Sequence, residues 1–136
     1  MLFLTILAAP GISLAAPGDL INTFGTRGAV TENPSGGSDQ IYDMAVDSTG
    51  IYLSGADATL GNDQWLLEKR NLTTGALIVA CDQNLSSGSD IAYDIALDAT
   101  GIYIAGGYFN ASNNLQWRIE KNDLPDIILH KTLSVN

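Results

Sequence analysis

The sequence predicts an all-β fold made of two consecutive units of four antiparallel strands. Three observations predict it. The run Gly37–Gly55 returns as Gly88–Gly106 at a constant offset of 51 residues, and Gln64–Lys69 returns as Gln116–Lys121 after one inserted residue. Within both copies apolar and polar residues alternate with a period of two, which puts one side-chain set on each face of a strand. Glycine is abundant, at 14 of 136 residues, and clusters with Asp, Ser, Thr and Asn between the alternating runs, where tight turns need it. No stretch carries a helical stripe of useful length. A doubled period of about fifty residues signals units that bury their apolar faces on one another.

The first sixteen residues stand apart. Leu2 to Ala9 is uncharged and mostly apolar, and Ser13-Leu14-Ala15 fits a small-x-small cleavage site. Residues 1–16 therefore read either as a secretory signal peptide or as the remnant strand of a preceding unit. No Lys or Arg precedes Arg27, and Pro10-Gly11 interrupts a run already too short to span a membrane as a helix. Residues 17–38 follow as a partial unit and linker. Gly18–Thr26 takes the place that Gly75–Ile78 takes before the second copy, and so reads as an outermost strand.

The first full unit covers residues 39–89. Its first strand is expected over Ile41–Asp47, with Tyr42, Met44 and Val46 alternating with Asp43, Ala45 and Asp47. Asp47-Ser48-Thr49-Gly50 supplies turn chemistry, and Ile51–Ser54 returns as the second strand of a hairpin. A polar connection runs to Asp63. Gln64–Arg70 forms the third strand, with Trp65 and Leu67 on one face and Leu66 and Glu68 on the other. After the turn Asn71–Gly75, the apolar run Ala76–Ala80 forms a fourth strand covered on both faces. The second unit, residues 90–136, repeats the plan with Tyr93, Ile95 and Leu97, the turn Asp98–Gly101, then Trp117 and Ile119, and a fourth strand at Ile127–Leu129. Four antiparallel strands in about fifty residues is the pattern of a propeller-type blade.

The segments Asp19–Thr26, Tyr42–Gly55 and Gln64–Arg70 resemble bacterial and archaeal β-propeller repeats, of the delta-sixty and SBBP kinds. The resemblance covers residues 18–124. It implies a large exported protein, extracellular or at the cell surface, and is silent on chemistry. Closure of a propeller takes at least about four blades. Two blades and a fraction make an incomplete propeller, hence a fragment of a longer repeat protein or a subunit that pairs with other copies.

Composition narrows the partners. The formal net charge is −9 and the sequence pI about 4.1, so the surface repels phosphate backbones and nucleic acid is excluded as a partner. One cysteine, Cys81, allows no intrachain disulfide and reads as a buried small apolar residue. The aspartates Asp39, Asp43 and Asp47, matched by Asp90, Asp94 and Asp98, suggest a site for a hard cation. A spacing of four residues separates neighbours by roughly 13 Å along a strand, too far to share one ion. A structural role in each unit is the expected reading. Trp65 and Trp117 stand at equal positions and are expected to pack between units rather than to stack on sugars. Glu68-Lys69 and Glu120-Lys121 read as strand-surface charges that pair with their neighbours. His130 is the only histidine, and no nucleophile elbow or helix-capped phosphate loop occurs. Asn71, Asn84 and Asn110 begin glycosylation-type triplets, which matter only in an exported protein. No catalytic, cofactor or metal residue is assigned. The expected function is a non-catalytic scaffold outside the cytoplasm that engages a protein or glycan. An enzyme completed in a longer chain, and a two-blade subunit of a homo-oligomeric ring, are the alternatives.

Overall fold

The computed structural model describes residues 16–59 and 61–123. Seven strands follow in order: β1 (Gln40–Asp47), β2 (Gly50–Asp57), β3 (Gln64–Arg70), β4 (Leu77–Gln83), β5 (Ile91–Asp98), β6 (Gly101–Phe109) and β7 (Leu115–Asn122). The described residues hold no helix, and therefore none long and apolar enough to cross a membrane. The strands make two antiparallel meanders, a four-stranded sheet β1-β2-β3-β4 and a three-stranded sheet β5-β6-β7. Within each sheet sequence neighbours pair, because each connecting turn is short enough for a hairpin, and the chain passes from one sheet to the other between β4 and β5. The expected strand at Ile127–Leu129, His130 and nearly all of the 1–16 segment lie outside the described residues.

The doubled sequence has doubled geometry. In β1 the pairing with β2 slips between Ile41 and Asp43, and in β5 the pairing with β6 slips between Ala92 and Asp94. Tyr42 and Tyr93 are the extra residues of these two bulges. Opposite each bulge stands a glycine. A Cβ on Gly55 would overlap the Gln40 carbonyl oxygen, and a Cβ on Gly106 would overlap that of Ile91. The hairpin turns are also alike. Asp47 Oδ1 accepts from the Thr49 amide at 2.7 Å and Asp98 Oδ1 from the Thr100 amide at 2.6 Å. Lys69 and Lys121 then cross from the third strand of each unit to the same turn, donating to the Thr49 and Thr100 hydroxyls and standing 4.9 and 5.0 Å over the Tyr52 and Tyr103 rings.

The core lies between the two sheets. Tyr52, Trp65, Leu67 and Cys81 project from the first, and Ala92, Ile95, Ile102 and Ile104 from the second. The fourth strand starts and ends later than its apolar run predicts, at Leu77–Gln83. That places Cys81 within the strand, buried and facing Leu67, as a small apolar residue would be. The segment Gly18–Thr26 differs from the strand expected there. It runs as turns with an isolated bridge between Thr26 and Ala29, where Arg27 and Gly28 take positive φ angles of 58° and 85°, incompatible with an extended strand.

Adding a methyl at either bulge glycine should cost about 1–3 kcal/mol through overpacking. Urea unfolding of Gly55→Ala and Gly106→Ala should show lower midpoints at unchanged slope. Ser54 is a contrasting case: its buried hydroxyl has no hydrogen-bond partner and its counterpart is Ala105. Ser54→Ala should leave the midpoint unchanged or raise it.

Candidate functional site

The positions singled out in the sequence converge on the seam between the sheets. Trp65, on the second-sheet side of β3, is 1% exposed. Its indole Nε1 donates to the Gly107 carbonyl at 3.0 Å across the seam. A Cβ on Gly106 would meet the indole Cζ2 at 2.8 Å, so that glycine serves its own hairpin and the tryptophan at once. Asp43 reaches the other way from β1: its Oδ2 accepts from the Ile95 amide at 3.0 Å. The two bulge tyrosines meet edge to face, Tyr42 against Tyr93 at 5.5 Å and 68°. At the outer end Gln83 Nε2 donates to Glu120 Oε2 at 3.0 Å.

A fifth tie joins loops. Asn62 Nδ2 donates to the Gly88 carbonyl at 2.6 Å, and the Asp90 amide to the Asp63 carbonyl at 2.8 Å. Asp90, fully buried, holds that loop by accepting from the Leu85 and Ser86 amides at 2.7 and 2.8 Å and from the Ser86 hydroxyl at 2.6 Å. Asp39 holds the loop before β1 in the same manner, through the Ser35 and Ala58 amides. The duplication thus begins earlier than the paired runs first suggest. Asn33, Ser35, Gly37 and Asp39 match Asn84, Ser86, Gly88 and Asp90, and Asn114 matches Asn62.

Every repeated aspartate whose bonds are described here acts on the backbone or a turn. Among the described residues no three His, Cys, Asp or Glu side chains gather where they could hold a metal ion. The Glu68-Lys69 pair departs from a surface reading. Glu68 is buried beside Arg70, whose Nε donates to Glu68 Oε2 at 2.6 Å while Nη2 reaches Glu32 Oε2 at 2.5 Å. Arg70 also donates to the Gly75 carbonyl at 3.2 Å. The Glu32 hydrogen bond, ahead of the burial that opposes it, raises the guanidinium pKa further above its ordinary value. The same bond lowers the Glu32 carboxyl. Sequence reading misses this trio because Arg70 has Asn122 as its counterpart and Glu32 lies far along the chain.

Two faces stay open. On the outer face of the second sheet Trp117 is 81% exposed and Ile119 is 64% exposed, against 1% and 5% for Trp65 and Leu67. On the far face of the first sheet Met44 is 58% exposed, against 5% for Ile95. That far face borders a groove of about 420 Å³ lined by Phe24, Val30, Ile41, Met44, Leu53 and Leu66, with Glu68 and Arg70 at one end. The groove is largely apolar, with Thr31, Glu32, Asp39, Gln40, Glu68 and Arg70 as its polar lining and no histidine or cysteine among its lining residues. It can bury an apolar side chain and offer hydrogen bonds at its charged end.

Against protein-family models, curated proteins and solved structures alike, the chain has no match.

Trp65→Ala should destabilise the fold by about 3–5 kcal/mol, whereas Trp117→Ala should shift stability by no more than about 0.5 kcal/mol. Chemical denaturation of both variants checks this contrast between identical residues in matched strands. Acid should loosen the fold in a defined window. The Asp43 carboxyl is lowered chiefly by the Ile95 amide, and that of Asp98 by the Thr100 hydroxyl. A depressed carboxyl contributes stability above its unfolded value near ~4, and that contribution is lost as pH falls through the folded value. Melting temperatures should therefore be flat from neutral pH to about 5 and fall below about 4. Asp43→Asn should reduce the fall.

Proposed function

We propose that this chain is a non-catalytic scaffold of propeller-type blades, acting outside the cytoplasm, whose connecting loops engage a protein or glycan. The observation that carries the reading is how the conspicuous side chains are used. Trp65, Asp43 and Asn62 bind one sheet or loop to the next, Asp90 fixes the loop that joins the two sheets, and the matched bulges and turns fit a unit that stacks. A catalytic group is needed once and needs a base, nucleophile or oxyanion donor converging on one point, whereas in the Glu32-Arg70-Glu68 cluster both carboxylates are engaged by the one guanidinium. The resemblance to exported propeller repeats supports the compartment, and the net charge of −9 supports a partner other than nucleic acid. A rigid stack of sheets leaves recognition to its loops, here the connections Ala58–Asp63 and Asn110–Asn114 and the turns at Ser48-Thr49 and Ala99-Thr100.

Purified chain screened on an array of glycans and extracellular-matrix proteins should bind one class, and the signal should fall at least tenfold when Asn110–Asn114 is replaced by a Gly/Ser loop. The same preparation should leave chromogenic esters and glycosides unhydrolysed. Turnover that disappears on substituting Glu32 or Glu68 would overturn the reading in favour of an enzyme.

A further inference from the structure

The two open faces are the two halves of one contact that the chain already makes internally. On the first sheet, Trp65, Leu67 and Asp43 form the gripping side, and on the second Ala92, Ile95, Ile102, Ile104 and Gly106 form the receiving side. The gripping set recurs on the outer face of the second sheet as Trp117, Ile119 and Asp94. The receiving set recurs on the far face of the first as Ile41, Met44, Ile51, Leu53 and Gly55. Trp117, Ile119, Ile41 and Met44 are exposed where their counterparts Trp65, Leu67, Ala92 and Ile95 are buried, while Ile51 and Leu53 are half-buried and Gly55 is buried. The loop contact recurs too, since Asn114 matches the donor Asn62 and Gly37 matches the acceptor Gly88.

We propose that the chain binds a second copy of itself head to tail, the Trp117 face of one copy seating on the Ile41–Met44–Leu53 groove of the next. Trp117 then lies against Gly55 with its indole N–H toward the Ala56 carbonyl, as Trp65 lies against Gly106 and bonds Gly107. Asp94 faces the Met44 amide as Asp43 faces that of Ile95. The segment that carries Val30 and Glu32 lines the same groove, where Ile51 and Leu53 are half-buried and Ile41 and Met44 stay exposed. Glu32 reaches Arg70 from the side on which Gln83 reaches Glu120. It therefore stands where β4 stands over the second sheet, beside the area that three strands cover. A second copy is the occupant because Ile41, Met44, Ile51 and Leu53 of the groove stand at the repeat positions of Ala92, Ile95, Ile102 and Ile104, which this gripping set already covers. The contact is heterologous, so it either closes into a ring or runs on as an open chain of copies. Rings of four to eight sheets correspond to about two to four copies. The inference is independent of what the loops bind.

Sedimentation or light scattering of the full chain over a concentration series, with no ligand added, tests it. Wild type should associate with rising concentration, as a closed ring or as a growing chain. Trp117→Asp should weaken association by about thirtyfold or more, as removal of a central aromatic anchor does, and Met44→Asp should do likewise from the opposite face. Because each variant keeps one intact face, an equimolar mixture should form a one-to-one pair that stops there. Circular dichroism should show both variants folded, and Ile119→Lys serves as a second block of the tail face. A wild type that stays monomeric at all concentrations overturns the proposal. So does association that survives Trp117→Asp and Ile119→Lys, a mixture that fails to pair, or unfolding by both tail variants. Loss of glycan or protein binding in the array, with association intact, would sink only the ligand reading.

Discussion

The seating of Trp65 on the second sheet is the constraint on which the rest of this structure depends. A sheet with one apolar face must bury that face against another element. Here the indole removes the largest apolar surface in the seam while its one polar atom finds the Gly107 carbonyl, so burial costs no orphaned donor. That position is available only because residue 106 has no side chain. Asp43, Asn62 and Gln83 then fix direction and distance at three further points. Hydrophobic area supplies the attraction and the polar ties supply the alignment.

The same physics explains why identical residues behave differently. Trp65 and Trp117 occupy matched strands with matched neighbours along the chain, yet one is sealed and the other wet. Burial is a property of the pair of surfaces and not of the residue. A unit that stacks must carry two complementary faces, and any finite stack ends with one of each exposed. Those ends are adhesive by construction.

The hairpins and their turns were legible in the sequence, because period-two alternation and Asp-x-Thr-Gly turns act locally and leave marks in adjacent residues. A structural role for the aspartates and the packing of Trp65 between units were legible from their recurrence, whereas Trp117, expected to pack in the same way, is exposed. Other features depended on residues distant along the chain. Glu68 looked like a surface charge until Arg70 and Glu32 closed around it. The loop ties through Asn62 and Asp90 were obscured because their matched residues are small, polar and common. The strand expected at Gly18–Thr26 is replaced by turns, with Gly18 and Gly25 at positive φ within it and Arg27 and Gly28 at positive φ just after it.

Cys81 gives the seam a further property. It is the chain's only cysteine, and it is buried between the sheets beside Leu67. A thiol there is shielded from oxidants and alkylating reagents while the sheets are closed, and meets them whenever they part. The rate at which a thiol reagent modifies the native protein is therefore a clock for separation of the two sheets, set by the opening free energy of the contact itself. The molecule carries at its centre a built-in gauge of how often its two halves let go.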